Sequence, residues 1–206
     1  MSRYKIGIVD YGTGNHTSIF SAVKKTENLP CISNNIDVLE KCDLLLLPGV
    51  GAFPHAMKYL NELKISEYIN RRYLNRTPII GICLGMQILG DISYEQTQTQ
   101  GLSIIPGKTE KIVDDFLHTG WNDVHPIGKK NLMADFCGAD MYFNHSFVFK
   151  TDPRYVIATA KINESSTEIT AAVQKDNVIG FQFHPEKSQS IGIELLSLTI
   201  KTLLNA

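Results

Sequence analysis

Cys83 stands between two glycines in Gly81-Ile82-Cys83-Leu84-Gly85, at the end of an apolar run that begins at Pro78. A thiol so placed suits nucleophilic attack on a carbonyl. A nucleophile on a sharp strand-to-helix corner projects outward, and flanking glycines let the corner pack tightly. The N-terminus of the helix that follows favours thiolate over thiol. The same five residues also fit a buried core cysteine, the usual role of a lone cysteine after an apolar run. On these residues alone the two readings stand level.

A thiol nucleophile needs a base. His184 in "GFQFHPEKSQ" follows the strand-like Phe181–Phe183, and Pro185 stops that strand. If this strand and the Cys83 strand are parallel neighbours, both side chains reach the same rim of a sheet. Glu186 can accept the second imidazole N–H, fixing the tautomer and stabilising the imidazolium. Acyl transfer also needs donors for an oxyanion. "LPGVGAF" offers backbone N–H groups near Val50 and Gly51, and Leu84 N–H directly follows the nucleophile. Taken singly, a histidine is more often structural and a glycine-rich segment is often only a turn.

These residues must be positioned by a sheet. "YKIGIVDYGTGN" reads as a buried strand ending at Asp10, then a turn carrying Gly12 and Gly14. Asn15 or Thr17 caps a helix through about Thr26. "LPCIS" and "CDLLLLPGVGAF" are the second and third strands, and the unbroken Leu44–Leu47 run suits a strand buried on both faces. One helical stretch is expected from Ala52 to Leu74, with Met57, Leu60, Leu63 and Tyr68 on its apolar faces. "TPIIGI" is the fourth strand. The β-α alternation predicts a flavodoxin-like, doubly wound, mostly parallel α/β sheet with flanking helices. The second half adds an antiparallel β section: "GLSIIPGKTEKIV", "MYFNHSFVF", "YVIATAKI", "EITAAVQKD" and "VIGFQFH" read as strands and hairpins. "SYEQTQTQ" reads as a polar loop, and Gln189 to Leu204 as a final helix.

The 206 residues suffice for one domain, spanning 1–206. A net charge of -1 gives no electrostatic reason for a nucleic-acid or anionic-membrane partner. Cys31, Cys42, Cys83 and Cys137 form no C-x-x-C pair, so neither a metal site nor a cofactor is expected. No segment reads as a signal peptide or a stretch of about 20 apolar residues, which predicts a soluble intracellular, cytoplasmic protein with reduced thiols.

Together, "PGVGAF", "GICLGMQIL" and "FQFHPEKSQ" resemble the class I glutamine amidotransferases, with a Cys-His-Glu triad. "DYGTGN", "HTGWN" and "YFNHSF" narrow the resemblance to the glutaminase subunits of imidazole glycerol phosphate synthases, almost end to end. The resemblance implies that Cys83 attacks the side-chain amide of L-glutamine and that His184 protonates the departing ammonia and then activates water. Glu186 orients His184. Gln87 and Glu95 match positions that hold the amino-acid moiety, and Tyr142, His145 and Ser146 fall in the strand flanking that pocket. Glu95 also fits a solvated loop acid, and His145 a structural hydrogen-bonding role. The ammonia passes to a separate (β/α)8-barrel cyclase/synthase subunit, making a heterodimer. Tyr11, Asn15, Trp121, Asn122 and Lys187 match the docking face for that subunit.

Two segments depart from the pattern. The lead-in "DDFLHTGWN" lacks the usual basic residue and proline, and "GDISYEQTQTQ" has one acid where adjacent acids are common. Both touch loop and partner-facing regions and leave the triad intact. They admit a paralogue feeding a different barrel synthase, for example in surface-sugar modification. A stand-alone cysteine hydrolase of the same plan and a catalytically silent scaffold are the readings from other classes. The "GWN" and "DYGTGN" surfaces speak against the first, and the intact triad against the second.

Overall fold

The structure, a computed structural model, describes residues 3–12, 15–112, 117–128, 131–162 and 167–205. The first half alternates as expected: β1 (Lys5–Val9), α1 (His16–Lys25), β2 (Leu29–Ser33), α2 (Ile36–Leu39), β3 (Leu44–Leu47), α3 (Phe53–Glu62), α4 (Ile65–Leu74), β4 (Ile79–Ile82) and α5 (Leu84–Gln87). The second half follows with β5 (Ile92–Ser93), β6 (Thr99–Gln100), β7 (Gly107–Lys111), β8 (His118–Pro126), β9 (Ala139–His145), β10 (Phe147–Thr151), β11 (Val156–Ile162), β12 (Thr167–Lys175), β13 (Val178–Phe181) and α6 (Gln189–Leu204).

Among the described residues the main sheet has nine strands in the order β2-β1-β3-β4-β13-β12-β11-β8-β9. The first five are parallel to their neighbours, in the order of a flavodoxin-like sheet. From β13 outward every pair is antiparallel. β3 shows why its sequence is unbroken leucine. Leu44 and Leu46 pack with Ile19 and Val23 of α1 and Leu195 and Leu196 of α6. Leu45 and Leu47 pack with Phe53 and Leu60 of α3 and Ile65 and Tyr68 of α4. All four are fully buried, each contributing roughly 1.5–3 kcal/mol.

Three expectations need correction. The single helix over 52–74 is two helices, broken at Lys64, which takes a left-handed φ of 56°. Leu63, expected on the apolar face, is 40% exposed, while Ile65, Tyr68 and Ile69 are buried. The break re-registers the apolar stripe onto the sheet after α3. The "SYEQTQTQ" segment is not only loop: its ends pair as the β5–β6 hairpin, within a second sheet ordered β10-β7-β5-β6. The strand expected from Gly101 begins only at Gly107.

Asn15 does cap α1, its side chain accepting from Ser18 N–H at 3.4 Å. Gly14 lies outside the described residues, as do Asp114–Phe116 of the "DDFLHTGWN" lead-in. Among the described residues no helix is long and apolar enough to cross a membrane.

Candidate active site

β4 and β13 run side by side with Ile82 opposite Phe181, so the chain segments leaving both strands emerge at the same sheet end. Cys83 leaves β4 at φ 50° and ψ -108°, a conformation that strains any residue with a Cβ. Its N–H is held by Phe181 O at 2.6 Å. The flanking glycines are required by close approach. A Cβ on Gly85 would stand 2.0 Å from Leu47 O, and one on Gly81 would stand 2.5 Å from Gly85 O. The corner is therefore packed directly onto the backbone of β3. The helix after it is a single turn, so its dipole at the sulfur is smaller than the sequence suggested.

Cys83 is 6% exposed and opens on a cavity of about 240 Å³. Val50, Gly51 and Leu84, the expected oxyanion donors, line it, as do Gln87, Glu95, His145 and Ser146. Leu84 is the first residue of α5, where N–H groups have no acceptor inside the helix. Gly51 has a φ of 124°, a backbone shape for which glycine is suited. Glu95 is tethered here because its Oε2 accepts from Phe53 N–H, at 2.9 Å, at the start of α3. Burial raises its pKa, partly opposed by that hydrogen bond.

His184 does not line the cavity. It is buried next to it, and its Nδ1 lies 2.8 Å from Glu186 Oε1. Its Nε2 is buried, with Cys83 as its only side-chain neighbour for a hydrogen bond among the described residues. Burial by itself would lower the histidine's pKa. Its interactions with Cys83 and with Glu186 outweigh that and push it up to about 10. The His-Pro-Glu turn is fastened to β9: His184 N–H donates to Tyr142 O, and the Ser188 hydroxyl donates to His184 O while accepting from Tyr142 N–H. Sequence reasoning missed Ser188. A serine one turn beyond the motif was the only signal.

Two placements differ from expectation. Tyr142 does not line the cavity. It stands on β9 opposite Trp121 of β8, edge-on at 5.9 Å, with its ring 6.5 Å from that of His184 and Lys187 Nζ 5.5 Å from its centroid. It thus stands beside Trp121 and Lys187, two of the expected docking residues, and not in the cavity lining. Tyr11, expected on the docking face, is fully buried, and its hydroxyl donates to Pro48 O. The phenol cannot meet a partner there because it fills the core beneath the Pro48–Gly51 segment. Burial and the neighbouring Cys83 both raise its pKa. Trp121 is 48% exposed, whereas Asn15, Asn122 and Lys187 are half-buried.

His145 and His118, opposite each other on β9 and β8, form a buried pair that the sequence did not disclose. His145 Nδ1 lies 2.8 Å from Phe147 O, an acceptor, so it carries a proton. His145 Nε2 then accepts from His118 Nδ1 at 3.0 Å, and His118 Nε2 accepts from Asn122 Nδ2 at 3.2 Å. Burial lowers His118 to about 4. Burial, followed by its proximity to His118, lowers His145 to about 3. Both rings are neutral near pH 7. Among the described residues no group of three His, Cys, Asp or Glu is placed to hold a metal ion.

A model of the glutamine amidotransferase class-I family matches residues 7–200. Imidazole glycerol phosphate synthase subunit HisH 2 of Vibrio vulnificus is 41% identical over 200 residues, covering 93% of this chain and 92% of that protein. Subunit HisH of Exiguobacterium sibiricum is 37% identical and covers 98% and 97%. HisH 1 of Campylobacter jejuni RM1221 is 38% identical, covering 95% and 99%. Among solved structures, PurLQS from Thermotoga maritima matches with a TM-score of 0.77 at 19% identity, over 98% of this chain and 100% of that one. A glutamine amidotransferase from Thermotoga maritima matches with 0.71 at 13% identity, over 100% of both chains. At these identities the structural likeness speaks for the fold.

Proposed function

Because the chain belongs to the class I glutamine amidotransferases, and within them to the HisH subunits of imidazole glycerol phosphate synthase, we propose that it hydrolyses L-glutamine and passes the ammonia to a (β/α)8-barrel cyclase/synthase partner in histidine biosynthesis. One observation carries this reading. A strained cysteine opens on a cavity, while the histidine behind it is locked to a buried carboxylate.

The geometry supports the following chemistry. Cys83 gives its proton to Nε2 of His184 and attacks the side-chain carbonyl carbon of glutamine. The charge that develops on the carbonyl oxygen is met by backbone N–H groups of Val50 or Gly51 and of Leu84. His184 returns the proton to the leaving nitrogen, releasing ammonia and a glutamyl thioester. Water, activated by His184, then cleaves the thioester to glutamate and the free thiol. Glu186 keeps Nδ1 protonated and offsets the imidazolium charge throughout. Glu95 faces the substrate ammonium, with Gln87 and Ser146 on the same cavity wall. Trp121, Tyr142 and Lys187 form the face on which the barrel docks, in a cytoplasmic heterodimer.

A second reading keeps the chemistry and changes the recipient. The departures in "DDFLHTGWN" and "GDISYEQTQTQ", which fall in loop and partner-facing segments while the triad stays intact, support a paralogue serving another barrel synthase. Glutamine hydrolysis measured with and without the candidate barrel tests both. Strong activation by the cyclase of the histidine pathway supports the first reading, and activation only by a different barrel supports the second. Full activity alone, on amides other than glutamine, would overturn both.

A further inference from the structure

Gln182 lies between Phe181 and Phe183, fully buried, and the mechanism above gives it no part. Its Nε2 stands 3.6 Å from Cys83 Sγ. We propose that Gln182 is a positioning residue for the nucleophile: its amide N–H is forced to point at the sulfur, holding that sulfur as a hydrogen-bond acceptor. The proposal rests on reading Cys83 as the nucleophile.

The direction of the amide follows from a backbone atom. Phe147 O can only accept. Gln87 meets it at 3.0 Å, so the Gln87 atom there is the donor Nε2. The other N–H of that nitrogen faces Gln182 at 3.0 Å, so the Gln182 atom there is the acceptor Oε1. Nε2 of Gln182 is left facing the thiol. Flipping the Gln182 amide would set two buried N–H groups against each other and withdraw the donor from the sulfur. His145 Nδ1 donates to the same Phe147 O and braces the start of this relay.

A donor at the sulfur constrains the thiol proton. It cannot point at Gln182. The remaining directions are Asn144 O, 3.9 Å away, and Nε2 of His184, whose Nδ1 is taken by Glu186. Transfer to His184 breaks S–H, forms N–H and leaves a thiolate that Gln182 stabilises. No further reactant is needed. The expected effect is the charge-assisted part of one hydrogen bond.

The test is the rate of iodoacetamide alkylation at Cys83 in the full chain, resolved by peptide mass spectrometry from pH 5 to 9. Cys31, Cys42 and Cys137 serve as internal controls. Gln182→Glu replaces the donor with an acceptor, and Gln182→Met keeps the volume without a donor. In each variant that melts cooperatively, the neutral-pH rate at Cys83 should fall about 10-fold and the profile should move about one unit higher. Profiles that superimpose on the parent overturn the proposal. A measurement on the unsubstituted protein runs beside it: the Gln182 Nε2 resonance should move when Cys83 titrates or is alkylated, and a static resonance overturns the proposal even where neither variant folds. Glutamine turnover is read separately. A displaced profile without turnover in the parent leaves the positioning role standing and removes the glutaminase reading. An unmoved profile with turnover does the reverse.

Discussion

His184 Nδ1 and Glu186 Oε1 are 2.8 Å apart, and both side chains are 1% exposed. Water does not reach the pair to replace either partner. Glu186→Gln should therefore lower glutamine turnover by about 10²- to 10⁴-fold, with little change in glutamine KM. The pair also carries a pH signature. A histidine raised to about 10, against its burial, by Cys83 first and Glu186 second contributes stability that is fully present below its ordinary 6.5 and is lost as pH climbs toward 10. Melting temperature measured from pH 6 to 10 should fall in the parent and fall less steeply in Glu186→Gln. Equal slopes would mean that the carboxylate does not hold the imidazolium.

His118 and His145 predict the opposite limb. Their pKa values lie below the unfolded value, at about 4 and about 3, so the folded state resists protonation. Stability is present above pH 6.5 and declines as pH falls toward 4. His118→Asn keeps a donor near the Nδ1 position and removes one titrating ring. Urea midpoints between pH 7 and 4 should show a shallower acid decline in this variant than in the parent.

Much of this was legible because burial on both faces writes unbroken apolar strands. Leu44–Leu47 and Ile79–Ile82 could hardly be anything else, and Cys83 sits where the second of these runs meets its turn. β8 was not legible as a strand. "HTGWNDVHP" is mostly half-exposed, and its polar residues His118 and Asn122 serve hydrogen bonds to β9 and β11 instead of alternation with solvent. Lys64 was hidden because apolar spacing continues through Leu63 while the backbone turns. Tyr11 and Tyr142 were misplaced for a related reason: a tyrosine near a turn carries no mark of which side its phenol takes. Gln182 left one faint signal, a polar residue inside a run that is otherwise buried and aromatic.

Gly85→Ala tests the corner itself. The added methyl would meet Leu47 O at 2.0 Å, a backbone atom at the end of β3 that cannot swing aside as a side chain could. A loss of about 3 kcal/mol or more in denaturant unfolding, or failure to fold, is expected. A variant as stable as the parent would show that α5 shifts freely against β3.

Glu95→Gln separates binding from architecture. The amide keeps an oxygen for Phe53 N–H, so the start of α3 should stay capped and the melting temperature nearly unchanged. On the proposed role of Glu95 opposite the substrate ammonium, losing its charge should raise KM for glutamine about 10-fold with a smaller effect on kcat. A variant with parental KM would return Glu95 to the role of a helix cap.

Trp121 tests the docking face. It is the only tryptophan of the chain, it is half exposed, and it stands edge-on to Tyr142, whose ring in turn neighbours that of His184. A partner seated on it would bury the indole and cover Tyr142, the ring between it and His184. Trp121 emission, isolated by difference against Trp121→Phe, should shift to shorter wavelength as the barrel partner is titrated in. Trp121→Ala should weaken that association by about 2 kcal/mol, roughly 30-fold, as loss of a central aromatic anchor does. Alkylation of Cys83 in the free chain should stay at the parental rate, because the indole does not line the cavity on which the sulfur opens. An unshifted emission at a partner concentration that fully activates glutamine hydrolysis would place the docking face elsewhere.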